Sequence, residues 1–431
     1  MMKPETSRRL LPLGAVLVYF CLMAGLWLAG WTWPYRSLIR LWGIDPFPHP
    51  FDDTDTVMSA LRCLRAGVDV FAANPCDPEL RLYDYSPLWL ELARLPVTGA
   101  WLNPAGLVID ALFFASLLLL PPARDAARTR LVVAGALGSE VLFALERGNN
   151  DLVIFALLAA AAWLLARSAW ARLAGYAAIL LAALLKYYPL MAMAAAFREK
   201  PARFCAVAAA SVAVVGTFAA VYRDELPRAV ALVPAMVPLS GPFGAANLGK
   251  IAGFLFGAPL ALQHAITAAM IATALVVAWR LARRDETGAA LAALDPSEHS
   301  ALMVCALAAI GCFFTAQNIS YRQVLLLLGL PSASVLWRRD ELGRMALLAP
   351  AMLALLWEDG WRRAVIWAAK SLAGPQGLIS AGLAGNAVTE TLWWWLATMF
   401  LALAMRMALE SPLGRLAPGA PPLTLAQDLG G

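Results

Sequence analysis

Long apolar runs broken by short polar punctuation dominate the chain. Stretches without Lys, Arg, Asp or Glu recur at 10–35, 152–166, 204–222, 251–279, 301–321, 324–337 and 391–405. A helix needs about 20 apolar residues to cross the hydrocarbon of a bilayer, with a range of roughly 17–25. Several of these runs cross outright and others make short crossings, so the pattern predicts an all-α polytopic membrane protein of about twelve membrane helical segments.

Basic residues between the runs set the direction. Lys3, Arg8 and Arg9 place the N-terminus in the cytoplasm, and Arg124, Arg172, Arg203, Arg283, Arg344 and Arg406 mark later cytoplasmic ends. Residues 32–103 then form a large first extracytoplasmic loop, with outer turns at 147–151 and 317–322 and a Pro/Gly-rich outer loop at 223–250. The expected organisation is a transmembrane domain over 1–408 and a tail over 409–431, multi-pass in the inner (cell) membrane with both termini cytoplasmic. The first run is too long for the apolar region of a signal peptide and has no small-residue cleavage site after it, so it reads as a retained helix.

Three places carry sharper expectations. Residues 131–145 read as one outgoing helix. Residues 173–185 and 187–197 are each short and the pair is flanked by basic residues, which predicts two half-helices meeting inside the membrane at Lys186-Tyr187-Tyr188-Pro189. The basic stretch 361–370 falls outside and predicts an amphipathic helix lying at the outer interface, with Trp361 and Trp367 as belt residues.

Composition narrows the function classes. At 61% hydrophobic and 15% charged over 431 residues, the chain is not a soluble globular protein. Its net charge of +5 sits mostly between apolar runs, as headgroup-facing loops require, and gives no reason to expect nucleic acid. There is no P-loop, no dinucleotide fingerprint and no HExxH, and the three histidines are scattered. No cofactor is implied and no metal site is indicated. Of six cysteines, Cys63 and Cys76 share the first loop, where they either pair in an oxidising compartment or stay as two thiols.

The candidate chemistry starts at His49-Pro50-Phe51-Asp52-Asp53-Thr54-Asp55. Residues 45–55 hold four acids and no Lys or Arg, in a chain that is otherwise basic. Such acids are ordinary helix-capping residues before the run that starts at Val57. They are also what a general base for a hydroxyl at a membrane surface requires. Lys186, ionisable between two apolar segments, either snorkels to headgroups or holds a phosphate as a compact point charge, with Tyr187 beside it. Glu146-Arg147-Gly148-Asn149-Asn150-Asp151 is a turn that suits capping or sugar contact, and Arg322 suits phosphate pairing. Tyr83-Asp84-Tyr85-Ser86-Pro87 marks an aromatic, Pro-started helix at the interface.

The order of these motifs resembles glycosyltransferase family 87, membrane enzymes of the GT-C class that use polyprenyl-phosphate sugars. The resemblance rests on Asp53-Thr54-Asp55 followed by Ala60, Gly67, Val70-Phe71 and Asn74-Pro75, then Tyr85-Ser86-Pro87-Leu88. It continues with Gly148-Asn149-Asn150-Asp151, where the family has Gly-Gln-x-Asn, and with Gly175 and Leu185-Lys186-Tyr187-Tyr188-Pro189. It covers about residues 50–205 and thins afterwards, Asn247-Leu248-Gly249 being only compatible with a later family loop.

The resemblance implies a GT-C-type helical bundle and an inverting transfer of a sugar, mannose as the first guess, from a polyprenyl-phosphate donor to a lipid or glycan acceptor hydroxyl. By motif position the base is Asp53, with Asp52 or Asp55 as the alternative. Lys186, Arg322 and Tyr187 would hold the donor phosphate. Tyr85, Arg147, Asn149, Asn150, Asp151 and Asn247 would contact substrate. The competing reading is a transporter or flippase of a lipid-linked sugar, which predicts matching broken helices in both halves of the chain.

Overall fold

The computed structural model of the protein describes residues 4–233, 241–337 and 339–416; Lys3, Arg338 and residues 417–431 of the expected tail lie outside them. The described residues are mostly helical and form no strand, with one isolated bridge between Phe243 and Asn318.

In chain order, α1 (Pro4–Leu28) leads to two short helices, α2 (Thr32–Leu41) and α3 (Asp52–Arg65), and then to a 3₁₀ turn at Pro87–Arg94. The bundle continues with α4 (Leu102–Ser116), α5 (Ala126–Ala136), α6 (Ser139–Glu146), α7 (Asp151–Leu165) and α8 (Ala169–Leu185). A 3₁₀ segment, Tyr188–Arg198, precedes α9 (Pro201–Val221), α10 (Glu225–Leu232), α11 (Asn247–Phe256) and α12 (Leu260–Ala282). The chain closes with α13 (Asp285–Ala292), α14 (Pro296–Thr315), α15 (Leu326–Leu336), α16 (Leu348–Leu356) and α17 (Glu358–Glu410). Among the described residues six helical stretches are long and apolar enough to cross a membrane: Leu10–Leu28, Gly99–Leu119, Pro201–Val221, Leu260–Ala282, Pro296–Thr315 and Glu358–Glu410. The chain is therefore a helical membrane protein.

At the centre stands α14. Its most apolar window is 83% buried, whereas those of α9 and α12 are 6% buried and face outward. Its small residues explain the position, because they let neighbours approach closely where lipid supplies no hydrophobic drive. A Cβ on Gly311 would fall 2.2 Å from the Tyr188 carbonyl, so glycine there is what lets the Tyr188–Arg198 segment lie against α14.

Three expectations change. The run 131–145 is two helices, α5 and α6, broken at Leu137-Gly138, and α6 meets α7 at a bend of 118°. The 169–198 pair does return on itself, since Arg172 Nε donates to Glu199 Oε1 at 2.6 Å. Its limbs, however, are longer than half-helices. The 17 residues of α8 rise about 25 Å, and the 11 residues of 3₁₀ helix rise about 22 Å because that form is stretched. Lys186 therefore lies at the far end of the bundle from Arg172. Residues 361–370 are not a lone surface helix either. They form the first limb of a hairpin in α17 that turns at Gly374-Pro375, so that Arg362 Nη2 reaches Asn386 Oδ1 at 3.0 Å.

The ends of the bundle separate cleanly. Arg124 pairs with Glu298 at 2.7 Å and Arg203 with Glu199 at 3.0 Å, joining segments that the charge pattern assigns to one side. Arg363 pairs with Asp45 at 2.7 Å, joining segments assigned to the other, and Lys186, expected at a break inside the membrane, reaches Asp151 of the outer turn at 2.6 Å.

Candidate active site

The site begins where the start of one helix meets the end of another. The first residues of α3 dock on the last residues of α6. Phe51 N donates to Glu146 O at 2.8 Å, Asp53 N to Arg147 O at 3.1 Å, and Thr54 Oγ1 to Gly148 O at 2.7 Å. A helix end leaves carbonyls without partners and a helix start leaves amides, so each satisfies the other. Gly148 has φ +53°, and a Cβ there would come 2.5 Å from Thr54 Oγ1 and 2.8 Å from the Phe51 ring. The turn closes this tightly only with glycine.

Docking brings the acids onto cations. Asp53 is gripped by Arg147 through both Nε, at 2.7 Å, and Nη2, and it also accepts from Asn149 Nδ2. Asp52 lies between Arg81 Nη1 at 2.7 Å and Arg147 Nη2 at 3.1 Å. Arg147 in turn stacks 4.0 Å over the Phe47 ring. The expectation that Asp53 is an available base does not fit this arrangement. Its oxygens are occupied by a buried guanidinium and an amide, which is how a structural ion pair is built.

Asp55 is different. It is buried, accepts no side-chain hydrogen bond among the described residues, and has Arg62 at 3.6 Å and His49 at 3.9 Å. Burial pushes its carboxyl above the ordinary value, against the lowering pull of Arg62 and His49.

A second centre forms around Asp151. Its carboxylate accepts from Lys186 Nζ at 2.6 Å and Tyr188 OH at 2.7 Å, and Arg322 Nε lies 3.4 Å away. Asn149 joins the two centres: its Nδ2 reaches Asp53, and its Oδ1 accepts the Asp151 amide at 2.7 Å. The first loop closes over the junction by capping α8. Ser86 Oγ donates to Leu184 O at 2.6 Å and Trp89 Nε1 to Leu185 O at 3.3 Å. That places the Tyr85 ring 5.7 Å from Lys186 Nζ and brings Asp84 within the fields of Lys186 and Arg322. Burial pushes the Asp84 carboxyl up, opposed by those two cations. No side-chain donor reaches it among the described residues.

Most of the sequence-predicted residues meet here: Asp52, Asp53, Asp55, Tyr85, Arg147, Asn149, Asn150, Asp151, Lys186 and Arg322. Asn150 is buried, and among the described residues neither of its amide atoms has a hydrogen-bond partner. Two residues belong elsewhere. Tyr187 is 40% exposed, and its neighbour Tyr188 takes the place at Asp151, because Lys186 is extended and adjacent side chains then face opposite ways. Asn247 ties Gln317 at 2.9 Å to Glu390 at 2.5 Å in a separate polar cluster. Sequence reasoning missed Asp84, Tyr188 and Arg81. Asp84 carried a signal, sitting inside the aromatic motif already singled out. Arg81 carried none, since its role is a contact across 29 residues. Among the described residues no group of three or more His, Cys, Asp or Glu is placed to hold a metal ion.

Cys63 and Cys76 form a disulfide that ties the last turn of α3 to the turn carrying Asp77. Asp77 in turn holds Arg81 Nε at 3.2 Å, which orients Arg81 toward Asp52.

Fold and site define a helical membrane protein with a buried, mixed-charge centre at one end of its bundle. No protein-family model, curated protein or solved structure matches the chain.

Proposed function

We propose that the chain is an inverting glycosyltransferase with a GT-C-type bundle. It moves a sugar, mannose being the first guess, from a polyprenyl-phosphate carrier to the hydroxyl of a lipid or glycan at the extracytoplasmic face of the inner membrane. The observation that carries this reading is the convergence of Lys186, Arg322 and Tyr188 on Asp151, with the unpaired Asp84 in the field of the same cations. Both cations also suit a lipid phosphate, an anion that guanidinium and ammonium donors hold. Both cations stabilise that phosphate as it takes up charge on leaving.

In this reading Asp84 is the base, and Asp55 the alternative. The base takes the proton of the acceptor hydroxyl. The hydroxyl oxygen bonds to the anomeric carbon from the face opposite the phosphate, and the carbon–oxygen bond to the phosphate breaks, releasing polyprenyl phosphate. Asn150, with its amide unpaired, is suited to a sugar hydroxyl. The disulfide supports the extracytoplasmic side, because such bonds persist in oxidising compartments.

The test is transfer of radiolabelled mannose from polyprenyl-phosphate mannose by the purified protein in liposomes carrying membrane glycolipids. Loss of transfer in Asp84→Asn, with unchanged chromatographic behaviour, is the expected result. Full transfer in both Asp84→Asn and Asp55→Asn would end the proposal. Passage of intact donor across the bilayer without cleavage would favour a transporter.

A further inference from the structure

Beside the charged centre, and separate from it, lies an apolar pocket of about 170 Å³ between α1, α2, α4 and α6. Its walls include Met23 and Trp27 of α1 and Leu107 of α4, and Phe51 closes it toward the acids of α3. The pocket borders the membrane-facing side of the protein. The Leu10–Leu28 window of α1 is only 17% buried, and Leu107 is 46% exposed.

Its inner end is polar. Glu146 lines it with both carboxylate oxygens shut off from solvent and without a hydrogen-bond partner of proper geometry; the Phe47 amide lies toward it but is not aligned. Tyr19 and Tyr35 line the same pocket. No Lys or Arg lines the pocket among the described residues, and the adjacent Arg147 is committed to Asp52 and Asp53. A buried polar group without a partner calls for one. An apolar slot of this size takes a hydrocarbon segment of several carbons; an engineered cavity of about 150 Å³ holds benzene.

We infer that this pocket binds a hydroxyl-bearing lipid, with its chain between α1 and α4 and its hydroxyl donating to Glu146. A phosphate-headed lipid is excluded on charge, since no Lys or Arg lines the pocket among the described residues to receive its anion. The site is thus distinct in chemistry from the cationic centre at Lys186 and Arg322. The claim is one of binding, so a failure of sugar transfer leaves it standing.

The experiment is photolabelling of the purified full chain in nanodiscs. The probes are a diazirine-bearing long-chain alcohol and its alkane, amine and phosphate-monoester counterparts, with labelled peptides mapped by mass spectrometry. The alcohol is expected to label peptides of α1 and α4 preferentially. Labelling should fall up to about tenfold in Glu146→Leu, as for loss of a buried hydrogen bond, and should be blocked in Leu107→Trp, which fills the mouth. Equal labelling by alkane or phosphate, preference for the amine, or alcohol labelling unchanged in Leu107→Trp would overturn the inference. Should Glu146→Leu fail to fold, Leu107→Trp decides alone, with its melting temperature as the control.

Discussion

Lys186 and Asp151 form a buried ion pair, Nζ to Oδ2 at 2.6 Å, that joins the end of α8 to the start of α7. Removing one partner of a buried pair leaves an uncompensated charge, typically at a cost of about 3–5 kcal/mol. Lys186→Met should fall near the lower end, because Arg322 and Tyr188 remain with Asp151. The double variant Lys186→Met/Asp151→Asn should regain most of the lost thermal stability but not the use of donor. Thermal unfolding and donor kinetics read the two effects separately, and a wild-type melting temperature in the single variant would contradict the pair.

Asp53 and Asp84 should respond in opposite ways to the same change. Asp53→Asn breaks the grip of Arg147 and should lower the melting temperature and the yield of folded protein. Asp84→Asn should lose transfer while gaining stability at neutral pH. The sign follows from its raised carboxyl. The stability linked to that group is fully present below the ordinary value of 3.8 and is lost as pH rises through the elevated folded value. The half-buried Asp84 carboxyl, held above its ordinary value, is therefore a cost at neutral pH that asparagine removes. The difference in melting temperature between variant and wild type should therefore shrink toward zero in acid. A difference independent of pH would remove the argument.

For the tyrosines the structure reverses the order of importance. Tyr188→Phe deletes a hydrogen bond to a buried carboxylate and should cost about 1.5–3 kcal/mol along with weaker donor use. Tyr187→Phe, at a side chain 40% exposed, should change neither stability nor donor affinity measurably. A donor titration of the two variants side by side checks this.

The disulfide should matter through Arg81. Closing a loop of about 13 residues contributes roughly 3 kcal/mol in the chain-entropy account. Cys63→Ala/Cys76→Ala should lower the melting temperature, and so should reductant acting on the wild type. Reductant should have no further effect on the double variant, which is the outcome that assigns the change to this bond.

Much of the bundle was legible from periodicity and charge. The long runs became α1, α9, α12 and α14, and the basic ends cluster together because a chain crossing an apolar layer leaves its cations on the wet sides. Broken segments were harder. Nothing local announces that 188–198 winds as a 3₁₀ helix, yet its larger rise, matching that of α8, leaves Lys186 at the far end of the bundle from Arg172. The hairpin at Gly374-Pro375 carried a turn signal that the amphipathic reading of 361–370 overrode.

The sequence by itself determined a helical membrane protein and the polar residues left over for chemistry, because hydropathy and punctuation are local properties. Which of those residues is available was decided only in three dimensions. Asp53 is taken by Arg147, 94 residues away, while Asp55 and Asp84 are not. Pairing of buried charges depends on how helix ends dock, and neither composition nor spacing records that docking.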